Sequence, residues 1–179
     1  TCAEYAEFIA DFARTDLAQA QARVPREQNG MGAFWTVDAD GKIEERLHLT
    51  ARTPALGVSR DDATVFLKWL NGRAVNGEDQ ATYRLISSAE YEKASRGVDG
   101  RRFPWGNRFD WSFTNGTKSR NGRPGAGDVG LFPGDESPYG VRDLAGSQRE
   151  WCDDWYDASR GWIAVKGGSW GGAMEESFR

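Results

Sequence analysis

From Val98 onward the chain loses every regular period. The stretch "GRRFPWGNRFDWSFTNGTKSRNGRPGAGDVGLFPGDESPYGVRDLAGSQREWCDDWYD" carries no helical stripe and no sustained strand alternation. Glycine, proline, asparagine, aspartate and tryptophan dominate it. So long a stretch does not stay structureless inside a compact domain. Something other than helices must order it. Five of the eight tryptophans, at positions 105, 111, 151, 155 and 162, lie in it or just beyond it. The expectation is a loop-rich fold pinned by aromatic packing.

The totals narrow the function classes. A chain of 179 residues can bury a real core as one domain. The net charge of −4, with mixed signs, offers no basic footprint for nucleic acid. No apolar run approaches the roughly 18 residues that span a bilayer. The single histidine, His48, would have to serve any histidine triad, and a site with two or three histidine ligands is impossible. His48 sits alone in "EERLHLT" and reads as a strand-surface or core residue. Cys2 and Cys152 could pair or stay as thiols.

Before Val98 the signals are local and clear. Tyr5, Phe8, Ile9 and Phe12 recur at helical spacing and predict an amphipathic helix at the start. Asp40-Gly41 predicts the turn of a hairpin. Ser59 caps a second helix whose apolar stripe is Val65, Phe66, Trp69 and Leu70, and Asn71-Gly72 is expected to end it. Ser87 with Glu90 makes a capping box for a third helix, and Gly97 makes its C-cap.

Four stretches then occur in a fixed order: "GVSRDDATVFLKWLNGR" (57–73), "YRLISSAEYEKASRG…GRRFPWG" (83–106), "SPYGVRDLAGSQREWCDDWY" (137–156) and "KGGSW" (166–170). Together they resemble the formylglycine-generating enzyme (sulfatase-modifying factor) family. That family's patterns include R-L-P-T-E-A-E-W-E-x-A-A-R-G, P-W-G, Y-G-L-x-D-M-x-G-N-V-x-E-W and R-G-G-S-W. The resemblance covers nearly the whole chain. It implies an α+β fold, the family's variant of the C-type lectin fold, with little regular secondary structure and many glycines and tryptophans. It also implies a single domain over 1–179, cut at both ends.

The family's oxidase places two cysteines just after the Gly-Gly-Ser-aromatic turn, where copper(I) takes soft sulfur ligands. Aligned without a gap, "GGSWGGAMEESFR" puts Gly172 and Ser177 at those positions. Glycine offers no ligand, and a hydroxyl is a hard oxygen that does not suit copper(I). No copper is expected. The iron-dependent sulfoxide synthases of the family need a set of histidines that this chain lacks. Cys152 reads as a small buried residue beside Trp151.

The resemblance further implies calcium. One set would be Asp143 with Leu144, Gly146 and Gln148, although Ser147 stands where the family usually has asparagine. Another would be Asn115 with the Gly116 carbonyl and either Asn121 or Asp128. Bland readings stand beside these: Asp143 as a turn cap, Asp153, Asp154 and Asp157 as a half-exposed segment, and Glu150 as a buried carboxylate paired with Arg102 or Arg179. Arg101 and Arg102 read as surface charge or as that same pairing.

The resulting expectation is a non-catalytic ligand-binding or protein-interaction domain, from a longer or sequence-variable bacterial protein. It would bind a protein or peptide through Trp170, Gly171, Met174, Glu175, Ser177 and Arg179, with a fused effector domain as one arrangement. The competing reading is a copper-dependent oxidase acting on a sulfatase cysteine, or a relative with different chemistry.

Overall fold

A computed structural model describes residues 1–27, 32–47, 49–74, 82–121 and 124–178; His48 lies outside the described residues. The chain divides into two compact units, Thr1–Arg84 and Leu85–Arg179. The mixed α+β expectation holds in both.

In the first unit, α1 spans Cys2–Thr15 and α2 spans Leu17–Ala22. Thr1 caps α1 through a capping box with Glu4: the Thr1 hydroxyl accepts from the Glu4 amide, one of the donors a helix start leaves orphaned, and the Glu4 carboxylate accepts from the Thr1 ammonium. The predicted stripe faces inward: Tyr5, Phe8 and Ile9 are buried and Phe12 packs partly buried against them. Strands β1 (Trp35–Val37) and β2 (Ile43–Glu45) form the predicted antiparallel hairpin. The Asp38 carboxylate accepts from the amides of Asp40 and Lys42 at 3.0 and 2.8 Å, and Gly41 supplies the positive φ of 80°. Helix α3 (Arg60–Ala74) lays Val65, Phe66 and Trp69 on the same core. Phe8 meets Phe66 and Trp69, each with ring centroids 5.6 Å apart.

The expected stop at Asn71-Gly72 does not operate, because α3 runs on to Ala74. The Asn71 amide nitrogen donates to the Tyr83 carbonyl at 2.9 Å and its oxygen accepts from the Tyr83 amide at 2.6 Å. That side chain is spent on a neighbouring segment. A glycine inside a helix costs only about 1 kcal/mol, which the partly buried stripe of Val65, Phe66 and Trp69 outweighs.

In the second unit, α4 spans Ser88–Arg96 with the Ser87–Glu90 capping box in place. Gly97 ends it at φ 69° and ψ −139°, a backbone that side-chain-bearing residues rarely adopt. Strands β3 (Glu150–Asp157) and β4 (Trp162–Lys166) pair antiparallel. Sequence reasoning found neither strand. The register slips between Trp151 and Trp155 and again before Asp157, so the period-2 signal is broken where it would have been read.

The aromatic pin is real but smaller than expected. Phe103 and Trp105 stack at 5.3 Å and 8°, and Phe109, Trp111 and Phe178 complete the cluster. Trp155 and Trp162 lie outside this cluster, 53% and 50% exposed. No described helix is long and apolar enough to cross a membrane.

Phe8→Ala is expected to destabilise the first unit by about 3–5 kcal/mol, because a fully buried ring leaves a cavity among other rings. Glu7→Ala on the same helix removes only an exposed pair with Arg73 and is expected to cost under about 1 kcal/mol. Urea unfolding followed by near-ultraviolet circular dichroism separates the two.

Candidate functional site

Three segments meet in the second unit. The loop 143–148, the segment 114–117 and the closing turn 168–178 are laced by main-chain bonds. Gly168 N donates to Ala145 O at 2.8 Å and Trp170 N to Ser147 O at 3.0 Å. Ser147 N donates to Asn115 O at 3.2 Å, and Thr117 N to Gly172 O at 2.9 Å. The predicted calcium sets and the predicted ligand face are therefore neighbours in space.

The turn is held from beneath by Phe178, which is completely buried. It belongs to a short 3-10 helix, Glu175–Phe178. Its ring lies in a slot that only glycines leave open. A Cβ placed on Gly172 would come 2.7 Å from Phe178 Cζ; on Gly116, 2.5 Å; on Gly168, 2.7 Å from Phe178 Cδ1. All three approaches are closer than carbon atoms tolerate. The space that a side chain at position 172 would enter is thus occupied by a phenyl ring. Above it, Met174 is 66% exposed, Gly171 is exposed, and Trp170, Glu175 and Ser177 are half-buried. Arg179 lies outside the described residues. Arg102 pairs with Glu175 at 2.8 Å, tying the turn to the segment before "FPWG".

The 143–148 loop is organised by Asp135, which the sequence reading did not single out. Its carboxylate is 1% exposed and accepts from Ala145 N, Gly146 N and the Thr114 hydroxyl at 3.1–3.3 Å. Burial pushes its pKa up to about 6. No local pattern could have found it, because its partners lie ten and eleven residues on and twenty-one residues back. Among the described residues Asp143 does not cap its own turn: its Oδ2 reaches back to another loop and accepts from Gly130 N at 2.6 Å. Its own φ is 62° and that of Ser147 is 65°. Asparagine tolerates that conformation better than serine does, which gives a physical reason for the family's preference at 147.

Other oxygens of the Asp143 set are engaged as well. Leu144 O accepts from the Tyr91 hydroxyl, and Gly146 O accepts from Gln148 N at 2.8 Å. Asn115 differs. It is 3% exposed, its amide nitrogen donates to Gly125 O at 3.2 Å, and its Oδ1 is buried with no hydrogen-bond partner among the described residues. A buried acceptor left unsatisfied is costly, and it suits a hard cation.

Glu150 does not meet Arg102, whose side chain is turned to Glu175. Glu150 Oε2 lies 3.1 Å from the Tyr91 hydroxyl, and burial pushes its pKa up to about 9. A hydroxyl has one proton, and Tyr91 gives its proton to Leu144 O. The contact to Glu150 is then made by the protonated carboxyl as donor, in agreement with the raised pKa. Cys152 is fully buried, as expected, and neither cysteine forms a disulfide. Arg101 pairs with Asp99 at 2.6 Å. Asp154 accepts from Ser88 N at 2.7 Å and caps α4. Asp157 caps the short helix after β3. Among the described residues no group of three or more His, Cys, Asp or Glu is arranged to hold a metal ion.

Residues 1–179 match the sulfatase-modifying factor enzyme 1-like domain. The mouse protein named inactive C-alpha-formylglycine-generating enzyme 2 is 34% identical over 150 residues, covering 77% of this chain and 44% of that protein. The formylglycine-generating enzyme of Thermomonospora curvata is 32% identical over 149 residues, covering 75% of this chain and 43% of its own. The chain thus spans less than half the length of these curated relatives. The structure of PvdO from Pseudomonas aeruginosa superimposes with a TM-score of 0.63 at 21% identity, covering 94% of this chain and 66% of that one, which shows a shared fold.

The Glu150 carboxyl holds its proton in the folded state up to about pH 9, whereas an unfolded glutamate loses it near 4.5. Its contribution to stability is complete below about pH 4.5 and is lost as pH rises toward 9. Asp135 has the same sign between about pH 4 and 6. The second unit is expected to weaken as pH goes from 5 to 9, and Glu150→Gln, which mimics the protonated acid, is expected to flatten that slope. Melting temperatures across the range check it.

Proposed function

The chain belongs to the sulfatase-modifying factor enzyme 1-like family, and we propose that within it this domain binds rather than catalyses. The observation that carries the reading is the Phe178 ring in the space of a side chain at 172. Where the oxidase needs a thiolate, this chain has a glycine with no room for one. At the second position Ser177 offers a hydroxyl, which copper(I) does not favour. The relative named as inactive supports the same direction.

On this reading the family's C-type-lectin-like frame presents a recognition face rather than a reaction centre. Trp170, Gly171, Met174, Glu175 and Ser177 form that face, with Arg102 beside Glu175. An exposed thioether next to a charge pair suits a protein or peptide better than a small polar metabolite. The test is incubation of the chain with copper(I) and a cysteine peptide. No aldehyde above background is expected, and catalytic aldehyde formation would overturn the reading.

Calcium forms part of the proposal at Asn115. Asn115 Oδ1 and the Gly116 carbonyl would hold it, with Asn121 or Asp128 as the further ligand; a calcium ion there would brace the loop under the recognition face. The Asp143 set fits less well, since its oxygens already accept hydrogen bonds. Millimolar calcium is expected to raise the melting temperature by several degrees, an effect that Asn115→Ala removes. An unchanged melting temperature in the unsubstituted chain would refute the site.

A further inference from the structure

The segment "SPYGV", Ser137 to Val141, is a closed turn. Gly140 N donates to Ser137 O at 2.9 Å and Ser137 N to Val141 O at 2.8 Å. The buried Ser137 hydroxyl oxygen accepts from the amides of Tyr139 and Val141, each at 3.3 Å. Two contacts set this turn against the C-terminal end of α4. A Cβ placed on Gly97, the C-cap of α4, would come 3.1 Å from Pro138 Cγ. The Lys93 ammonium, in the last turn of α4, lies 5.5 Å from the Tyr139 ring centroid. Lys93, Gly97, Pro138 and Tyr139 therefore share one corner of the surface.

The corner is apolar, open to water and carries a cation without an acid. Tyr139 is 53% exposed, and Val98, directly after Gly97, is 83% exposed; Pro138 is exposed as well. Exposed apolar groups gathered at one place and rimmed by charge mark an interaction site more often than scattered ones. The acids of the two segments are already engaged. Glu92 pairs with Arg96, Asp99 with Arg101 and Glu136 with Arg142, while Glu90 closes the capping box with Ser87. Lys93 differs. Among the described residues its ammonium makes no ion pair and meets the π face of Tyr139. The side chain is exposed, and an ammonium with three donors can lie on a ring and still receive a carboxylate.

We propose that this corner docks an acidic segment of a partner protein, with a carboxylate on the Lys93 ammonium and an adjoining apolar side chain on Pro138 and the Tyr139 ring. Charge selects the partner: the acids of the corner are neutralised within the chain, and the ammonium that remains attracts a negative group. The apolar surface beside it selects a carboxylate carried on a peptide segment over a free anion, which would leave Pro138 and Tyr139 uncovered. A tyrosine on a preformed turn suits such a contact, because a turn already held by Ser137 loses little freedom on binding. The corner uses none of the residues of the Trp170–Ser177 face and does not depend on how that face is read.

The probe is the peptide Gly-Leu-Glu-Leu-Glu-Gly with blocked ends, titrated into the full chain beside its counterpart with glutamine for glutamate. Saturable binding of the glutamate peptide is expected, with the glutamine peptide about threefold weaker and the difference shrinking as salt rises. Lys93→Met keeps an apolar stem and removes the charge; it is expected to erase the preference for glutamate and to leave binding of the glutamine peptide in place. Tyr139→Ala is expected to weaken both peptides about tenfold. Both side chains are exposed, so the melting temperatures of these variants are expected to stay unchanged. A shift of the Tyr139 ring resonances in the unsubstituted protein reports the contact without any variant. Lys42→Met, which removes an exposed lysine from the first unit, is expected to change nothing. The proposal fails if the glutamate peptide does not saturate, if the two peptides bind alike, if Lys93→Met keeps the preference, or if Lys42→Met weakens binding as much. It fails equally if the only effect of Tyr139→Ala is to abolish self-association in sedimentation, which assigns the corner to a second copy of the chain.

Discussion

A phenyl ring with no exposed surface holds the second unit together. Phe178 sits where Gly116, Gly168 and Gly172 leave their side-chain space empty, with Phe109 and Trp111 each 5.5 Å away, centroid to centroid. Close packing of this kind is unforgiving, because even one added methylene forces displacement. The same ring that closes the core therefore decides what position 172 can be. Packing and the absence of a reactive side chain are a single fact about this fold.

Around the ring, main-chain bonds replace regular structure. Asp135 collects the amides of Ala145 and Gly146 at the centre of a loop that has no regular structure of its own. Gly146 presses on Thr114 so closely that a Cβ would fall 2.0 Å from its hydroxyl oxygen. Tyr91 ties α4 to the same loop through Leu144 O, and Glu150 joins as a neutral acid. A carboxyl kept protonated in a dry site gives up its charge to avoid desolvation. These contacts tie the closing turn to the loop beneath it, and its outer residues, Met174 above all, are left in water.

What the sequence revealed and what it hid follow from the range of the interactions. The Ser87–Glu90 box, the Asp40-Gly41 turn and the Tyr5–Phe8–Ile9 stripe are made between residues at most four apart, and each was readable. The family resemblance rested on longer motifs and fixed the fold. Phe178 could not be read as the keystone, because its glycines lie far back along the chain as well as beside it. Asp135 looked like any loop aspartate. Glu150 is half-buried, and the partner it shows is a tyrosine 59 residues away; Arg102 is turned to Glu175 instead, and Arg179 lies outside the described residues. Strands β3 and β4 were hidden by their own irregular register. The tryptophans misled in one respect, since Trp155 and Trp162 face solvent.

The central claim is that position 172 is closed to a thiol because Phe178 fills its space. The direct measurement is a double-mutant cycle on stability with Gly172→Cys and Phe178→Ala. The account predicts that Gly172→Cys alone destabilises by about 1–3 kcal/mol, the usual range for overpacking. In the Phe178→Ala background the added cysteine is predicted to cost nothing further. If Gly172→Cys is neutral in the otherwise unchanged chain, the slot is plastic, a thiol fits there, and the steric case for a binding domain without the oxidase's chemistry is contradicted.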